Sequence, residues 1–153
     1  MKIKKFKFKK VRSTNNTAIR IIKKTKHNLG MVVAESQANG RGQYGRKWIS
    51  SKGNLFVSFF NELNKKKISI NAITKINCLL VKKLLSSFTN KKILFKKPND
   101  LLIDKKKISG ILQEVIFAKD KKFLITGIGI NIKNNPIIRK YPATNLHEVT
   151  KKS

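Results

Sequence analysis

The sequence predicts an α+β domain: a mixed, largely antiparallel β-sheet with helices packed on one face. Three observations predict it. The first third alternates strand-like and helix-like stretches. One long helix-like stretch then divides the chain. The second half is a series of apolar runs joined by short turn signals. A length of 153 residues suits one domain with its own core, so residues 1–153 are expected to form a single unit.

Taken in order, residues 4–11 alternate well enough for a first strand. Its lysines suit an edge, where they discourage strand addition. Ser13 or Thr14 then caps a short helix running to about Lys26, with Ala18, Ile21 and Ile22 on one face. Asn28-Leu29-Gly30 ends it, Gly30 supplying a positive φ. Residues 30–37 are β-branched or small and read as a strand. Residues 38–51 have neither period and read as a loop. Residues 54–60 form another apolar strand, and 64–67 a polar turn. Ile70, Ile73, Leu80 and Leu84 keep helical spacing through a helix that ends near Asn90. Four strands follow, at 93–97, 101–104, 107–117 and 122–132. Asp104-Lys105-Lys106 and Lys119-Asp120-Lys121 make hairpin turns between them. From Asn134 onward the chain is polar, with Pro136 and Pro142, and no element is legible.

Composition narrows the function classes. Thirty-six Lys and Arg against seven Asp and Glu give a formal charge of +29. That charge fits an anionic partner, or a compositional bias that puts lysine everywhere. A single cysteine, Cys78, permits no internal disulfide and no cysteine-based zinc site. Its apolar surroundings suggest an inert buried thiol. Two distant histidines, His27 and His147, give no local support for a histidine metal pair or a Ser/His/Asp triad. No apolar run reaches the length of a membrane span, and the basic N-terminus lacks the apolar stretch of a secretion signal. A soluble cytoplasmic protein is expected.

Four stretches carry chemistry. In Gly40-Arg41-Gly42-Gln43-Tyr44-Gly45-Arg46-Lys47-Trp48, glycines allow close approach to a ligand, guanidinium groups grip carboxylate or phosphate, and the indole offers a flat lid. An ordinary basic surface loop anchored by a tryptophan would look the same. Lys107 opens an apolar strand and either points along the sheet into a site or is solvated. In the last strand, alternation puts Ile128, Ile130 and Ile132 on a core face and Gly127, Gly129 and Asn131 on the other. The missing side chains leave room for a flat ring that the Asn131 amide can read, or for close helix packing. Asp100, in the Pro98-Asn99-Asp100 turn, could hold magnesium, orient a lysine or simply form the turn.

In series, these segments resemble the biotin protein ligase family. The matching stretches are Ser13-Thr14-Asn15, ESQANGRGQYGRKW at 35–48, KKPND at 96–100, KISGILQE at 107–114 and GIGIN at 127–131, with PATNL at 142–146 similar to a later loop of the family. The resemblance implies the biotin/lipoate ligase catalytic fold, which is like that of class II aminoacyl-tRNA synthetases. It also implies a two-step reaction. Biotin's carboxylate attacks the α-phosphate of ATP, with Mg²⁺ assisting, to give biotinyl-AMP and pyrophosphate. A lysine of a biotin carboxyl carrier protein, typically an acetyl-CoA carboxylase subunit, then takes the biotinyl group. By resemblance, Arg41 and Lys107 are catalytic, offsetting charge between carboxylate and phosphate. Ser13, Thr14, Asn15, Gln37, Gly40, Arg41 and Lys107 would hold biotin. Gly42, Gln43, Arg46, Trp48, Lys96, Asn99, Gly110 and Asn131 would hold the nucleotide, with the stretch from Gly42 to Trp48 closing over it. Asp100 would sit near the magnesium.

Lys97 stands where the family usually has Trp, and Gln43 where many members carry Arg. The chain starts at the first catalytic strand, so the helix-turn-helix domain of larger members is not expected, and it stops soon after the Pro142 loop, so their C-terminal β-barrel is not expected either. A homodimer is compatible with the resemblance, and no membrane or nucleic-acid partner is expected. The alternatives are a lipoate- or octanoate-transferring relative, against which the loop sequence argues, and a basic nucleic-acid-binding module, which would need basic groups on one surface with interleaved aromatics.

Overall fold

The computed structural model describes residues 3–63, 69–138 and 140–150. The expected polar turn at 64–67 lies outside them. The chain runs β1 (Lys4–Val11), α1 (Thr14–Lys24), β2 (Leu29–Gln37), β3 (Gly40–Arg41), β4 (Lys47–Trp48), β5 (Leu55–Glu62), α2 (Ile70–Leu85), β6 (Ile93–Lys96), β7 (Asp100–Ile103), β8 (Lys106–Ala118), β9 (Lys121–Ile130) and α3 (Leu146–Thr150). Seven strands form one sheet in the order β1-β2-β5-β9-β8-β7-β6. Only β1 and β2 pair in parallel, and β1 is an edge. The remaining neighbours are antiparallel. The mixed, largely antiparallel sheet is the one the sequence predicts.

The helices take opposite faces, where one shared face was expected. α1 buries Ala18, Ile21 and Ile22 with Val32, Phe60, Phe123 and Ile125. α2 buries Cys78, Val81 and Leu85 with Ile103, Ile111 and Ile130; on β9, Ile130 is of opposite alternation to Phe123 and Ile125, so the two clusters lie on opposite faces. A parallel crossover lays α1 against one side, and the apolar side left on β6 to β9 needs a cover of its own.

The start of α1 lies at one of the two expected caps: the Ser13 side chain accepts the Asn16 N–H. Its end is not the expected one. The helix stops at Lys24, where the Thr25 N–H and hydroxyl both bond to Ile21 O at 2.9 and 2.8 Å. Gly30 has no positive φ; it lies within β2, where a Cβ would run into the Phe60 ring. α2 also departs from expectation. It ends at Leu85, and its buried residues are Thr74, Cys78, Val81 and Leu85. Leu80 and Leu84, two of the residues whose spacing marked the helix, are 59% and 52% exposed. α2 is apolar on more than one side, so periodicity alone does not select the buried face. The sheet selects it, through the Thr74 hydroxyl on Gln113 among other contacts.

Both hairpin turns hold. Asp104 with Lys105, and Lys119 with Asp120, have positive φ at consecutive positions, the pattern of two-residue turns that match strand twist. The polar tail has structure that its sequence hid. Lys107 N–H donates to Pro142 O and Thr144 N–H donates to Lys107 O, at 2.8 and 2.9 Å. This lays residue 143 beside β8, and Asn145 then caps α3 through the Glu148 N–H at 2.8 Å.

Candidate active site

A cavity of about 630 Å³ opens on the sheet face that carries α1. The first turn of α1 and Gln37 form one end. The β3–β4 ribbon forms a wall, the turn between β6 and β7 forms another, and β8 and β9 form the floor. Residues from the 136–143 segment rim it. The segment read as a loop from 38 to 51 therefore contains a small antiparallel hairpin, Gly40 opposite Trp48 and Arg41 opposite Lys47.

The cavity gathers nearly all the residues singled out from sequence: Ser13, Thr14, Asn15, Gln37, Arg41, Gly42, Gln43, Arg46, Trp48, Lys96, Asn99, Asp100, Lys107, Gly110 and Asn131. Gly40 is not in the lining. It is buried behind it, where a Cβ would lie 2.5 Å from Trp48 O and 2.9 Å from Gln37 Nε2. Lys97, one of the two departures from the family pattern, lines the wall beside Pro98.

At the α1 end, the Gln37 amide oxygen accepts from the Thr14 N–H at 2.8 Å and from its hydroxyl at 3.1 Å. Gln37 Nε2 donates to Ser50 Oγ at 3.0 Å. Asn15 is fixed on both sides: Ser58 Oγ donates to its oxygen at 2.5 Å, and its nitrogen donates to Glu114 Oε2 at 2.7 Å. The same Glu114 oxygen pairs with Arg41 Nη2 at 2.5 Å.

Lys107 reaches the cavity through a β-bulge. Leu101 pairs with Ser109 but Leu102 with Lys107, so Ile108 is the extra residue. Ile108 drops into the α2-side core with no exposure, and Lys107 turns to the opposite face. Its Nζ lies 2.7 Å from Asp100 Oδ1 and 5.2 Å from the centre of the Trp48 ring. Of the three roles open to Asp100, the geometry shows it beside the lysine. No group of three or more His, Cys, Asp or Glu side chains suited to a metal occurs among the described residues. A lone carboxylate already paired to a lysine suits magnesium only as an ion carried in on substrate phosphates.

The floor is not empty as the alternation suggested. Asn15 stands over Gly127. The Trp48 indole lies over Gly110 and Gly129, where a Cβ would fall 2.8 Å from Cζ3 and 2.5 Å from Cε2. A flat ring does occupy the glycine floor, and it is the protein's own. Beside it, Asn131 is buried. Its nitrogen faces Thr144 O at 3.1 Å and Lys107 O at 3.4 Å, and its oxygen has no partner. The nitrogen contacts fix the amide, leaving a buried acceptor. At the mouth, the Arg46 guanidinium sits 5.4 Å from the Tyr141 ring centre and links the ribbon to the 136–143 segment.

Sequence reasoning missed Glu114, Ser58 and Tyr141. For Glu114 there was a signal: positions 110, 112 and 114 share a strand face, and Glu114 is one of only seven acids. Ser58 and Tyr141 carried none, because pairing across strands and a loop's path bring them in.

Known proteins with the same arrangement bear on the family. The bifunctional ligase/repressor BirA of Escherichia coli is 33% identical over 102 residues, which are 65% of this chain and 32% of that protein. The chain thus spans about a third of the length of the curated relatives it matches. The biotin protein ligase of Aquifex aeolicus, solved in complex with biotin and ATP, superposes with a TM-score of 0.79 at 36% identity, covering 97% of this chain and 62% of that one. The Leishmania major enzyme, solved with biotinyl-5-AMP, gives a TM-score of 0.82 at 25% identity, covering 99% and 66%. The profile of the biotin/lipoate A/B protein ligase family matches residues 7–131. That span runs from the first strand through the glycine floor to the buried amide of Asn131, and the chain belongs to this family.

Proposed function

We propose that this chain carries the catalytic site of a biotin protein ligase. It would activate biotin with ATP as biotinyl-AMP and transfer the biotinyl group to a lysine of a biotin carboxyl carrier protein. The observation that carries this reading is the convergence of Arg41 and Lys107 on one cavity, beside a buried unpaired acceptor at Asn131.

In the first step a biotin carboxylate oxygen bonds to the α-phosphorus of ATP and pyrophosphate leaves. Two anions must meet. At ~4 Å, two unit charges repel by ~4 kcal/mol at an effective dielectric of ~20. Arg41 and Lys107 would offset that repulsion and hold the charge that develops on the phosphoryl oxygens. Asp100 pairs with Lys107 and aims its ammonium group. Magnesium, when present, would add neutralisation on the phosphates near Asp100. Ser13, Thr14, Asn15 and Gln37 form the polar end that suits a ureido ring, whose N–H and C=O groups need partners on both sides. Asn131 Oδ1 would accept from the adenine amino group. In the second step the carrier lysine amine attacks the acyl carbon, AMP leaves with the bonding electrons, and the amine loses a proton. No nucleophilic side chain of this chain is needed.

For an adenine to take the glycine floor, Trp48 must lift and close again over the adenylate. Closure would shield the mixed anhydride from water. The test is intact-mass analysis of a purified carrier domain after incubation with this chain, ATP, magnesium and biotin. One biotinyl group per carrier, with AMP and pyrophosphate formed, is the expected result. Transfer of lipoate or octanoate in place of biotin, or no pyrophosphate release with any of the three, overturns the assignment.

A further inference from the structure

Glu114 takes no place in the cavity lining, yet two of the elements that build the cavity meet on one of its oxygens. Oε2 accepts from Asn15 Nδ2 on α1 at 2.7 Å and from Arg41 Nη2 on β3 at 2.5 Å. Glu114 stands on β8 opposite Ile125 of β9, in the middle of the sheet. Its partners belong to separate elements that reach the floor from different sides. In a chain of +29 charge with seven acids, a carboxylate beneath the cavity is a specific local feature.

We infer that Glu114 is a positioning residue for the first chemical step. It holds the Arg41 guanidinium at a fixed angle and, through Arg41, keeps the β3–β4 ribbon seated on the sheet. Three observations support this. The contact is charge-assisted and partly buried, the side chains being 35% and 25% exposed, so solvent screens it less than a fully exposed pair. It uses only the Nη2 edge of Arg41. Nε is buried without a partner, a donor left over for an incoming anion. And Arg41 pairs with Lys47 while its neighbour Gly40 pairs with Trp48, so an anchor on Arg41 also fixes where the indole lies. A supporting carboxylate that orients a charged group without touching the substrate is the arrangement a preorganised site needs. Glu114 has a second effect through Asn15. By taking the amide nitrogen it turns the amide oxygen toward Ser58.

The catalytic half of this inference rests on the biotin-ligase reading, and the ligand-free half does not. The experiment therefore has two arms, on Glu114→Gln, Glu114→Ala, Arg41→Ala and the Arg41→Ala/Glu114→Ala double variant. In the first arm no ligand is added. Trp48 is the only tryptophan, so acrylamide quenching of intrinsic fluorescence reports on the ribbon alone, while urea unfolding by far-UV circular dichroism reports on the fold. Glu114→Ala and Arg41→Ala are each expected to make Trp48 more quenchable, and the double variant no more so than either. In the second arm, biotin-dependent pyrophosphate release is expected to lose about tenfold or more in kcat in Glu114→Ala. The double variant should fall well short of the product of the two single losses. Glu114→Gln retains an acceptor for Asn15 and loses the charge opposite Arg41. Its KM for biotin should stay near that of the parent while its kcat falls.

Unchanged quenching in Glu114→Gln and Glu114→Ala overturns the inference, as do additive losses in the double variant. KM and kcat changing together in Glu114→Gln would mean a merely structural role. If Glu114→Ala does not fold, the near-isosteric Glu114→Gln decides by the same readouts. Should the parent chain release no pyrophosphate with biotin, the functional reading fails, and the quenching arm still decides what Glu114 holds.

Discussion

At the scale of single residues, two neighbouring lysines are set apart by the fold. Lys106 is exposed and faces Glu148 at 3.8 Å, a pair of little energetic weight. Lys107, turned by the bulge, is the one in the cavity. Lys107→Ala is expected to slow adenylate formation by about 10²–10³-fold, the size of effect seen when one charge-stabilising donor is lost. Lys106→Ala should change it by less than about twofold, as expected of an exposed pair of that kind. Pyrophosphate release by the two variants checks this, and equal small effects would remove Lys107 from the mechanism. Cys78 makes a different point. Burial, and then the charge of Asp100, push its thiol up from 9.0 to about 11. The folded state thus favours the protonated thiol. Its contribution to stability is fully present below pH 9.0 and is lost as pH rises through about 11. The thiol should resist iodoacetamide at neutral pH in the native protein and react once per chain in urea. Native labelling as fast as the unfolded rate would contradict the burial seen on α2.

At the scale of elements, α2 tests which side of an apolar helix faces the sheet. Leu84 and Leu85 are adjacent in sequence, 52% and 2% exposed. Leu85→Ala should cost about 2–5 kcal/mol of unfolding free energy, because it opens a cavity against the β6–β8 side of the core. Leu84→Ala should stay within about 0.5 kcal/mol. Urea midpoints measure both, and the reverse order would contradict the burial of Leu85 against the sheet. The same element shows why its burial was not legible. Period 3.6 identifies a helix from apolar spacing, but it picks a face only when the other side is polar. Ile76, Leu79 and Leu80 make this one apolar on the solvent side too. β8 shows the complementary case. Strict alternation would send Lys107 and Ser109 to one face, and a single extra residue separates them. Nothing in the run from Lys107 to Glu114 marks where that residue is inserted.

At the scale of the whole molecule, charge is the dominant property. The first acid in the chain is Glu35, after eleven Lys and Arg. Glu62, Asp100, Asp104, Glu114 and Glu148 are all in ion pairs. The remaining positive charge is free to act on the surroundings. It should speed encounter with an acidic carrier domain, an effect that weakens as the Debye length shortens to ~8 Å at physiological salt. Charge contacts inside the cavity are screened less. In a salt titration at subsaturating carrier, biotinyl transfer should fall steeply and pyrophosphate release gently. Parallel decline of both would assign the lysines to compositional bias instead. Duplex DNA added at physiological salt should not compete with the carrier; strong competition would support the nucleic-acid reading. No helix among the described residues is long and apolar enough to cross a membrane.

The sequence by itself determined the order of the longer strands and of α1 and α2, a capped start of α1 at Ser13 or Thr14 and both hairpin turns, while its resemblance to a known family pointed to most of the residues found in the cavity lining. These are legible because caps, turns and alternation are local, and because the glycine- and arginine-rich stretch is unusual in composition. Only the tertiary structure decided that the two helices lie on opposite faces, that Lys107 leaves the core face, and that Trp48 rests on Gly110 and Gly129. It alone brought Glu114 beneath Arg41, 73 positions away. Each of these depends on which surfaces meet across the sheet. A bulge, a second apolar helix face and a ribbon folded back on the floor are settled by competition between distant contacts, and local spacing carries no record of that competition.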